Sequence, residues 1–326
     1  MALRDTFGRR LDYLRLSITD RCNFRCVYCL PEGCTARGAS APLAPAELER
    51  LVRGFAALGF WKVRLTGGEP TLRGDLVEIV ERVAAVPGIT RVGLTTNGHR
   101  LARLAPALRA AGLAAVTVSL DSLDPDRVPR ITGARRLDEV LEGLEAATAA
   151  GLPSVKVNAV LLDGLDGGEL DRFLDLARRL PVTVRFIELM RTGGNGDLYE
   201  RARLPAGEVA ARLLERGWRP LPQVREHGVA VQYAHPDLPG QVGIIAASRE
   251  GFCARCNRLR VSSTGDLETC LFGGGGTTPL RPLLAPGAGR RELLRAIRAA
   301  VSTKPAGHRL REGLTGTTTT LATLGG

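Results

Sequence analysis

The region from residue 13 to about residue 190 alternates short β-branched runs with stretches rich in Ala, Leu and Arg. This alternation is typical of βα units around a parallel sheet. The predicted strands are 13–18, 62–66, 91–95, 115–119, 154–160 and 183–188. The predicted helices between them are 45–58, 75–86, 101–111, 137–150 and 168–180. These units predict an α/β fold, a partial (βα)6 TIM-type barrel whose functional loops follow the strands.

The pattern changes after residue 190, where a predicted helix at 206–216 is followed by the linker Pro220-Leu-Pro222. The runs 229–233 and 242–246 alternate apolar and polar residues, which predicts antiparallel strands. We therefore expect a barrel domain at 1–222 and a C-terminal antiparallel extension at 223–326.

The composition is that of a soluble globular protein, with 44% hydrophobic residues, a mean hydropathy of zero and no apolar run of membrane length. The charged N-terminus lacks the apolar stretch of a signal peptide, which favours the cytoplasm and reduced thiols. The net charge of +11 suits an anionic partner. Because no Lys/Arg block is long enough for a nucleic-acid arm and only 4% of residues are aromatic, we expect an anionic small molecule rather than nucleic acid.

Three of the seven cysteines, Cys22, Cys26 and Cys29, form a C-x3-C-x2-C motif directly after the first predicted strand. A loop this short turns three thiolates toward one point, which suits a four-iron cluster with one iron left open. Structural zinc is an alternative, but it normally has a fourth Cys or His ligand, and no His lies near this loop. A disulfide framework fits poorly with an odd cysteine count.

A second triad, Cys253, Cys256 and Cys270, has the spacing C-x2-C-x13-C. By itself this spacing is compatible with zinc or with an iron-sulfur cluster, and zinc is the commoner outcome. Two triads that each lack a fourth ligand argue for two clusters, each keeping an iron open to a small molecule. We interpret the remaining cysteine, Cys34, as a bystander.

Polar residues also follow the predicted strands. Gly67 and Gly68 would let the backbone approach a ligand closely, and Glu69 would offer a carboxylate to an ammonium group. Thr95 and Ser119 end the next two strands, where ordinary helix caps and turns are the alternative interpretation.

Five cations interrupt the predicted strands, where a parallel sheet normally has Val or Ile. They are Arg15, Lys62, Arg64, Lys156 and Arg185. Because buried charge is costly without a partner, we expect a ring of cations in a wet cavity, suited to a triphosphate. The alternative is that one or two of them extend outward at a strand end. The only other lysine, Lys304, lies near the C-terminus.

The first triad, with Tyr28 before its last cysteine, resembles the signature of the radical S-adenosylmethionine (SAM) enzymes. Nearly the whole chain resembles the GTP 3′,8-cyclase family of molybdenum cofactor biosynthesis. The resemblance is carried by segments 14–26, 64–73, 185–188 and 256–260 and by the terminal Gly325-Gly326. It implies a partial barrel whose open side is covered by a C-terminal layer.

The resemblance implies two [4Fe-4S] clusters and SAM as cofactors. The implied cluster ligands are Cys22, Cys26, Cys29, Cys253, Cys256 and Cys270. The implied SAM contacts are Tyr28, Gly67, Gly68, Glu69, Ser119 and Met190. The implied GTP contacts are Arg15, Arg64, Thr95, Lys156, Arg258, Leu259 and Arg260. The implied catalytic residues are Arg15, Lys62, Arg64, Lys156, Arg185 and the two terminal glycines, Gly325 and Gly326, although residues 321–324 depart from the usual ending.

The implied reaction begins with reductive cleavage of SAM to a 5′-deoxyadenosyl radical, which abstracts H3′ of GTP. A C3′–C8 bond then forms, giving 3′,8-cyclo-7,8-dihydro-GTP as the first step of molybdenum cofactor biosynthesis. The implied partners are GTP, a reductant for the clusters and cyclic pyranopterin monophosphate synthase, which receives the product; the enzyme would be a monomer or homodimer without nucleic acid or membrane. Two other hypotheses are a radical SAM enzyme that modifies a peptide or another small molecule, and a zinc-stabilised protein that binds nucleic acid in a salt-sensitive manner.

Overall fold

The computed structural model describes residues 2–31, 33, 41–163, 165, 167–223, 228–272, 276–316 and 321–324. Cys34, Gly325 and Gly326, which figure in the sequence predictions, lie outside the described residues.

A single twelve-stranded sheet organises the described part of the chain. Its strands are β1 Tyr13–Ser17, β2 Lys62–Thr66, β3 Arg91–Thr96, β4 Leu113–Ser119, β5 Val155–Leu161, β6 Thr183–Glu188, β7 Arg219–Pro220, β8 Val231–Ala234, β9 Gln241–Ile245, β10 Arg258–Val261, β11 Asp266–Glu268 and β12 Thr277–Pro279. Their spatial order is β12-β11-β10-β1-β2-β3-β4-β5-β6-β9-β8-β7.

Helices connect the strands and cover the sheet. They are α1 Pro45–Ala57, α2 Leu76–Ala84, α3 Leu101–Ala110, α4 Val128–Thr132, α5 Leu137–Ala149, α6 Gly167–Arg179, α7 Gly196–Ala202, α8 Ala206–Glu215 and α9 Arg290–Ser302. In the portion of the chain with described coordinates, none of the helices combines the length and apolar character needed to span a membrane.

The parallel part of the sheet confirms the predicted partial barrel and extends it. β1 to β6 pair side by side in chain order, all in parallel. At the two edges of this set, β10 pairs in parallel with β1 and β9 pairs in parallel with β6. The barrel sheet therefore has eight parallel strands rather than the predicted six, and it stays open.

The C-terminal strands form antiparallel ribbons at both edges of the sheet. β7, β8 and β9 are antiparallel neighbours at one edge, and β10, β11 and β12 are antiparallel neighbours at the other. The antiparallel extension is thus confirmed, but it is divided between two places. The domain boundary expected at residue 222 stays a prediction.

The main core lies between the sheet and its helices. In α1 the apolar residues recur at helical spacing, and Leu48, Leu51, Val52 and Phe55 are all buried. The opposite end of the chain packs on the same helix, because a Cβ at Gly54 would lie 2.6 Å from Leu293 Cδ2 of α9. This close approach fixes the C-terminal third against the barrel.

Candidate active site

The first cysteine triad lies on the loop that follows β1. Backbone bonds fix this loop to the end of α4, since Arg25 N donates to Thr132 O at 2.8 Å and Val27 N donates to Ile131 O at 2.9 Å. All three cysteines are free thiols. Burial raises the pKa of Cys29 to about 12, and the neighbouring Cys22 adds to this rise. The three sulfur atoms therefore share one desolvated region.

The C-terminal tail docks against this triad. The backbone amides of Leu321 and Ala322 hydrogen-bond Cys29 and oppose the rise of its pKa. Arg260 Nη1 donates to the Leu324 carbonyl at 3.0 Å. Residues 321–324 therefore reach the site even though they depart from the usual ending of the family that the sequence resembles.

Gly67 and Gly68, which follow β2, leave space for the backbone of the loop after β1. A Cβ at Gly67 would lie 2.2 Å from Thr19 O, and a Cβ at Gly68 would lie 2.3 Å from Arg21 O. Both distances are too short for real atoms, so only glycine allows this turn to touch the start of the cysteine loop. The loop after β1 thus approaches both glycines closely, and the approach of a ligand to this turn stays a prediction.

Glu69 forms hydrogen bonds within the protein. Its carboxylate is fully buried and accepts from Thr71 N at 2.9 Å, Thr71 Oγ1 at 2.5 Å, Thr96 Oγ1 at 2.7 Å and Asn97 N at 2.6 Å. Three of these donors converge on Oε1, and one, Asn97 N, bonds Oε2. Glu69 therefore ties the loop after β2 to the end of β3, and its contact with an ammonium group stays a prediction.

Tyr28, Ser119 and Met190 lie around the first triad. The Tyr28 hydroxyl donates to Asp121 Oδ2 at 2.7 Å, and Asp121 Oδ1 accepts from Val160 N at 2.8 Å. Ser119 ends β4 and lines a small cavity together with Asp121. Met190 packs with Tyr28 in a small apolar cluster.

That apolar cluster also joins the two triads. Its buried members, Leu271, Phe272 and Leu321, pack against both Cys29 and Cys270. Residues from the barrel, the extension and the tail thus meet at one place, with a cysteine of each triad at its border.

The predicted cations share the inner face of the sheet with two more from β10. We call this set the cation face: Arg15, Lys62, Arg64, Lys156, Arg185, Arg258 and Arg260. One row of the strand register joins Arg260, Arg15 and Arg64 across β10, β1 and β2. Because residues of neighbouring parallel strands in register point to the same face, these guanidinium groups lie side by side.

Arg64 reaches furthest across the sheet. Its Nη1 donates to Leu94 O and to Thr117 Oγ1, both at 2.9 Å, and to Thr95 Oγ1 at 3.4 Å. A Cβ at position 93 would lie 3.0 Å from Arg64 Nη2, so Gly93 leaves the space for this side chain. Thr95 therefore lies beside the cation face, and its contact with GTP stays a prediction.

The cations shift one another's proton affinity. Burial lowers the pKa of Lys156 to about 6, and Arg185 and Arg64 contribute to the decrease. Burial likewise lowers the pKa of Lys62 to about 8 and that of Arg15 to about 10. Such depressed values are expected where like charges crowd together without a bound anion.

A tyrosine faces the cations. The Tyr13 hydroxyl accepts from Arg64 Nε at 2.8 Å, and Lys62 Nζ lies 4.5 Å from the centre of the Tyr13 ring. Burial alone would raise the pKa of Tyr13, but Arg64, Arg15 and Lys62 outweigh it and lower the pKa to about 6. Tyr13 therefore balances part of the positive charge as a phenolate.

At the far end of the cation face, buried polar atoms lack partners among the described residues. They are Arg185 Nε, Asn158 Oδ1 and Gln232 Oε1. Asn158 stands opposite Arg185 in the strand register. A buried donor without an acceptor is costly, so this end of the site is built to receive a polar ligand.

Leu259 does not belong to this face. It is fully buried in the main hydrophobic core, while its neighbours Arg258 and Arg260 point the other way. Successive residues of a strand point to opposite faces of the sheet. The Leu259 side chain is therefore part of the core, and a GTP contact of this residue stays a prediction.

The second triad lies just before β10 and after β11. Cys253 opens a short 3-10 turn, and Cys256 N donates to Cys253 O at 3.1 Å. Cys270 follows β11, and all three are free thiols. Burial raises the pKa of Cys270, and Cys256 and Cys253 add to it, so the three sulfur atoms are neighbours.

The donor set of both triads fits iron-sulfur clusters. Each triad offers three free, partly buried thiols, and the amides directed at Cys29 are the kind of hydrogen bond that stabilises cluster sulfur. Within the described ranges, no three His, Cys, Asp or Glu residues are arranged to hold a metal ion. The assignment of ligands therefore depends on the thiols themselves and stays a prediction.

Comparisons with known proteins match both halves of the chain. The radical SAM superfamily matches residues 16–177, and the family described as Molybdenum Cofactor Synthesis C matches residues 182–310. The GTP 3′,8-cyclase of Stenotrophomonas maltophilia strain K279a is 52% identical over 99% of both chains. This chain belongs to the GTP 3′,8-cyclase family. The GTP 3′,8-cyclase of Synechococcus elongatus is 48% identical over the full length of both chains.

Solved structures support the fold of this GTP 3′,8-cyclase family member. Streptococcus suis SuiB bound to S-adenosylmethionine has a TM-score of 0.62 and 15% identity, covering 88% of this chain and 68% of its own. The complex of SuiB with the precursor peptide SuiA also has a TM-score of 0.62, at 14% identity over 95% of this chain and 74% of its own. At this identity the similarity shows the fold alone.

Sequence reasoning missed several site residues of this family member. Tyr13, Gly93 and Thr117 surround Arg64, and Asn158 stands beside Arg185. The signal for Tyr13 and Asn158 was their spacing, since each lies two residues from a predicted cation on the same strand face. Thr117 carried no comparable signal, because its role depends on the reach of a side chain from another strand.

Proposed function

We propose that this chain is a GTP 3′,8-cyclase that uses SAM and two [4Fe-4S] clusters. The observation that carries the proposal is the placement of two free-thiol triads around one buried cation face. This arrangement provides separate positions for an iron-bound cofactor and for a polyanionic substrate within one site.

The first triad would hold the cluster to which SAM binds. Cys22, Cys26 and Cys29 would be its ligands, and Tyr28 and Met190 would border SAM on the side of the apolar cluster. When bound, the cluster and SAM supply a 5′-deoxyadenosyl radical that removes H3′ of GTP and so leads to the C3′–C8 bond. The backbone amides of Gly68 and Glu69 donate to Thr19 O and Arg21 O, hold the turn after β2 against the cysteine loop and thereby keep the triad in place.

The cation face would bind the triphosphate of GTP. Arginine forms paired hydrogen bonds with phosphate, and Arg185 has a buried Nε without a partner among the described residues. Lys62 and Lys156, whose pKa values are lowered in the free protein, become charged when phosphate charge lies beside them. Holding GTP at its phosphate end fixes the ribose relative to the first triad.

The second triad would hold the cluster nearest the guanine end of GTP, with Cys253, Cys256 and Cys270 as ligands. Arg258 and Arg260 lie on the adjoining strand β10 and face the same site. The docked tail, held by Arg260 through the Leu324 carbonyl, closes the side of the site between the triads. A closed site protects a reactive radical from water and side reactions.

The family to which the chain belongs supports a proposal for the reductant and for the enzyme that receives the product. We propose that the cyclised nucleotide passes to cyclic pyranopterin monophosphate synthase and that an external reductant supplies the electrons for SAM cleavage. Both proposals rest on the family to which the chain belongs.

The test is an anaerobic reaction of the reconstituted protein with SAM, dithionite and GTP, followed by chromatography. We expect 5′-deoxyadenosine and 3′,8-cyclo-7,8-dihydro-GTP, and we expect both to be absent with Cys22→Ala. Arg185→Ala should lose the GTP product, whereas Arg178→Ala, on the exposed surface of α6, should behave as wild type. Formation of 5′-deoxyadenosine without any GTP-derived product would contradict the substrate assignment.

A further inference from the structure

A buried lysine, Lys304, hydrogen-bonds two of the chain segments that carry the cysteines of the second triad. Lys304 follows α9 and is 4% exposed. Its Nζ donates to the carbonyl of Thr269, which precedes Cys270, and to the carbonyl of Arg258 at 3.3 Å, two residues after Cys256. One ammonium group thus connects the chain segments that carry two of the three cysteines.

Arg9 connects Cys253, the third cysteine of the triad, to the residues that follow Lys304. Its Nη1 donates to Cys253 O at 3.0 Å and to Ala306 O at 2.7 Å, and its Nη2 donates to Pro305 O at 2.6 Å. The residues from 304 to 307 therefore form a strap around the second triad. The strap packs closely, since a Cβ at Gly307 would lie 3.3 Å from Cys253 Sγ.

Arg9 and Lys304 differ in the charge of their hydrogen-bond partners. Arg9 forms an ion pair with Asp5, with 2.6 Å between Arg9 Nε and Asp5 Oδ2. The described hydrogen bonds of Lys304 are to carbonyl groups, which carry no formal charge. Lys304 acts electrostatically on the triad: burial raises the pKa of Cys256, but Arg258 and Lys304 outweigh it and lower that pKa to about 7. The field of such a cation is weakly screened in the protein interior.

We infer that Lys304 is a positioning residue for the second triad and that its buried charge raises the reduction potential of the iron-sulfur cluster bound there. The inference rests on the proposed function, because it requires a cluster on Cys253, Cys256 and Cys270. Reduction adds a negative charge to a cluster, and a nearby cation stabilises the reduced form more than the oxidised form. Groups around the ligands tune metal sites in this way.

The test isolates the second cluster in the full-length chain by replacing Cys22, Cys26 and Cys29 with alanine. Iron content is measured first, and the midpoint potential is then determined by anaerobic redox titration followed by electron paramagnetic resonance. Absence of iron in this background would contradict the cofactor assignment of the proposed function. Iron that is present lets the effect of Lys304 be measured separately.

Lys304→Gln removes the charge and keeps N–H donors for the two carbonyl groups. We expect it to weaken one-electron reduction about tenfold, a decrease of about 59 mV in midpoint potential. Lys304→Met should show the same decrease if it retains iron, and Lys304→Arg should keep the potential of its parent. The matched control is Arg298→Met, which removes an exposed cation from α9 and should leave the potential unchanged.

A purely structural role predicts a different result. In that case Lys304→Gln would keep the parental potential, and Lys304→Met would lose iron without any shift in the remaining cluster. Either an unchanged potential in Lys304→Gln or an equal decrease in Arg298→Met would overturn the inference.

Discussion

At the scale of single residues, the main property of the site is the positive charge of the cation face, which other residues of the chain balance only in part. Tyr13 illustrates this, because a phenol becomes a useful counter-charge only where several cations surround it. Its pKa of about 6 means that it is ionised above about pH 6 in the substrate-free protein. The cation face is therefore less positive before GTP binds than its residue count indicates.

Tyr13→Phe tests this ionisation. We expect the metal-free wild-type protein to gain tyrosinate absorbance as the pH rises through about 6, and we expect the variant to lack that step. Tyr233→Phe is the matched control, since burial raises the pKa of Tyr233 and keeps it protonated in this range. The same titration step in Tyr13→Phe and wild type would show that another group is responsible.

Lys156 predicts a proton linkage of GTP binding. Its pKa of about 6 leaves it largely neutral at pH 8 in the free protein, and adjacent phosphate charge should raise that pKa. A base whose pKa rises on binding takes up a proton, so GTP affinity should decrease as the pH increases from about 6 to 8.

Calorimetry in two buffers of different ionisation enthalpy measures this uptake. Lys156→Arg keeps the positive charge but does not titrate in this range, so we expect about one proton less to be taken up at pH 8. Arg178→Lys, on the exposed surface of α6, is the control for an exchange between arginine and lysine and should leave the proton uptake unchanged. Equal uptake by wild type and Lys156→Arg would refute the linkage.

At the scale of elements, the turn after β2 supports the cysteine loop. Gly68→Ala would place a Cβ 2.3 Å from the Arg21 carbonyl oxygen and push the two loops apart. We expect the variant to lose the first cluster and keep the second, so that reconstituted protein retains about half of its iron. Gly74→Ala is the matched control, because a Cβ there has no neighbouring atom within 4 Å.

Iron analysis and the absorbance of the reconstituted protein measure the outcome. Full iron content in Gly68→Ala would show that the loops tolerate the displacement. Iron loss in both variants would point to a general effect of alanine in this segment rather than to the contact with Arg21.

The elements that sequence predicts well are those whose stability is local. β1 to β6 appear as β-branched runs between amphipathic helices, and each was predicted to within two residues. β10, β11 and β12 were not predicted, since they are only three or four residues long and contain Arg, Asp and Pro. Their pairing is decided by distant partners, above all β1, which no local pattern records.

In the site, too, residues with a local sequence signal were predicted and residues defined by distant contacts were not. The cysteines and strand cations were found because their residue types are unusual in those positions. The hydrogen bonds of Glu69 were not predicted because their donors come partly from β3. The burial of the Leu259 side chain was not predicted because its neighbours in the strand are cations. Lys304 was noted only as a rare lysine, since its carbonyl partners are about 35 and 46 residues away.

At the scale of the whole molecule, the C-terminal third completes the barrel sheet on both sides. Removing residues 223–326 would leave β1 without β10 and β6 without β9. It would also remove α9 and so expose the part of α1 around Gly54, against which Leu293 and Ile297 pack. We therefore predict that the fragment 1–222 does not fold cooperatively, although the sequence pattern treats it as a barrel domain.

Circular dichroism during denaturant unfolding, with solubility measured in parallel, tests this prediction. The control is a deletion of residues 321–326, which removes no strand of the sheet and should keep cooperative unfolding. A soluble 1–222 fragment with a single sharp transition would establish it as an independent folding unit.

The pairing of β1 with β10 also bears on how the chain is made. The first strand leaves the ribosome long before Arg258 is synthesised, and at about 5–20 residues per second the delay is on the order of tens of seconds. Throughout that time one edge of the nascent sheet has no partner strand, and unpaired edges promote aggregation. Translation speed and chaperone cover over this interval should therefore govern the yield of active enzyme in the cell.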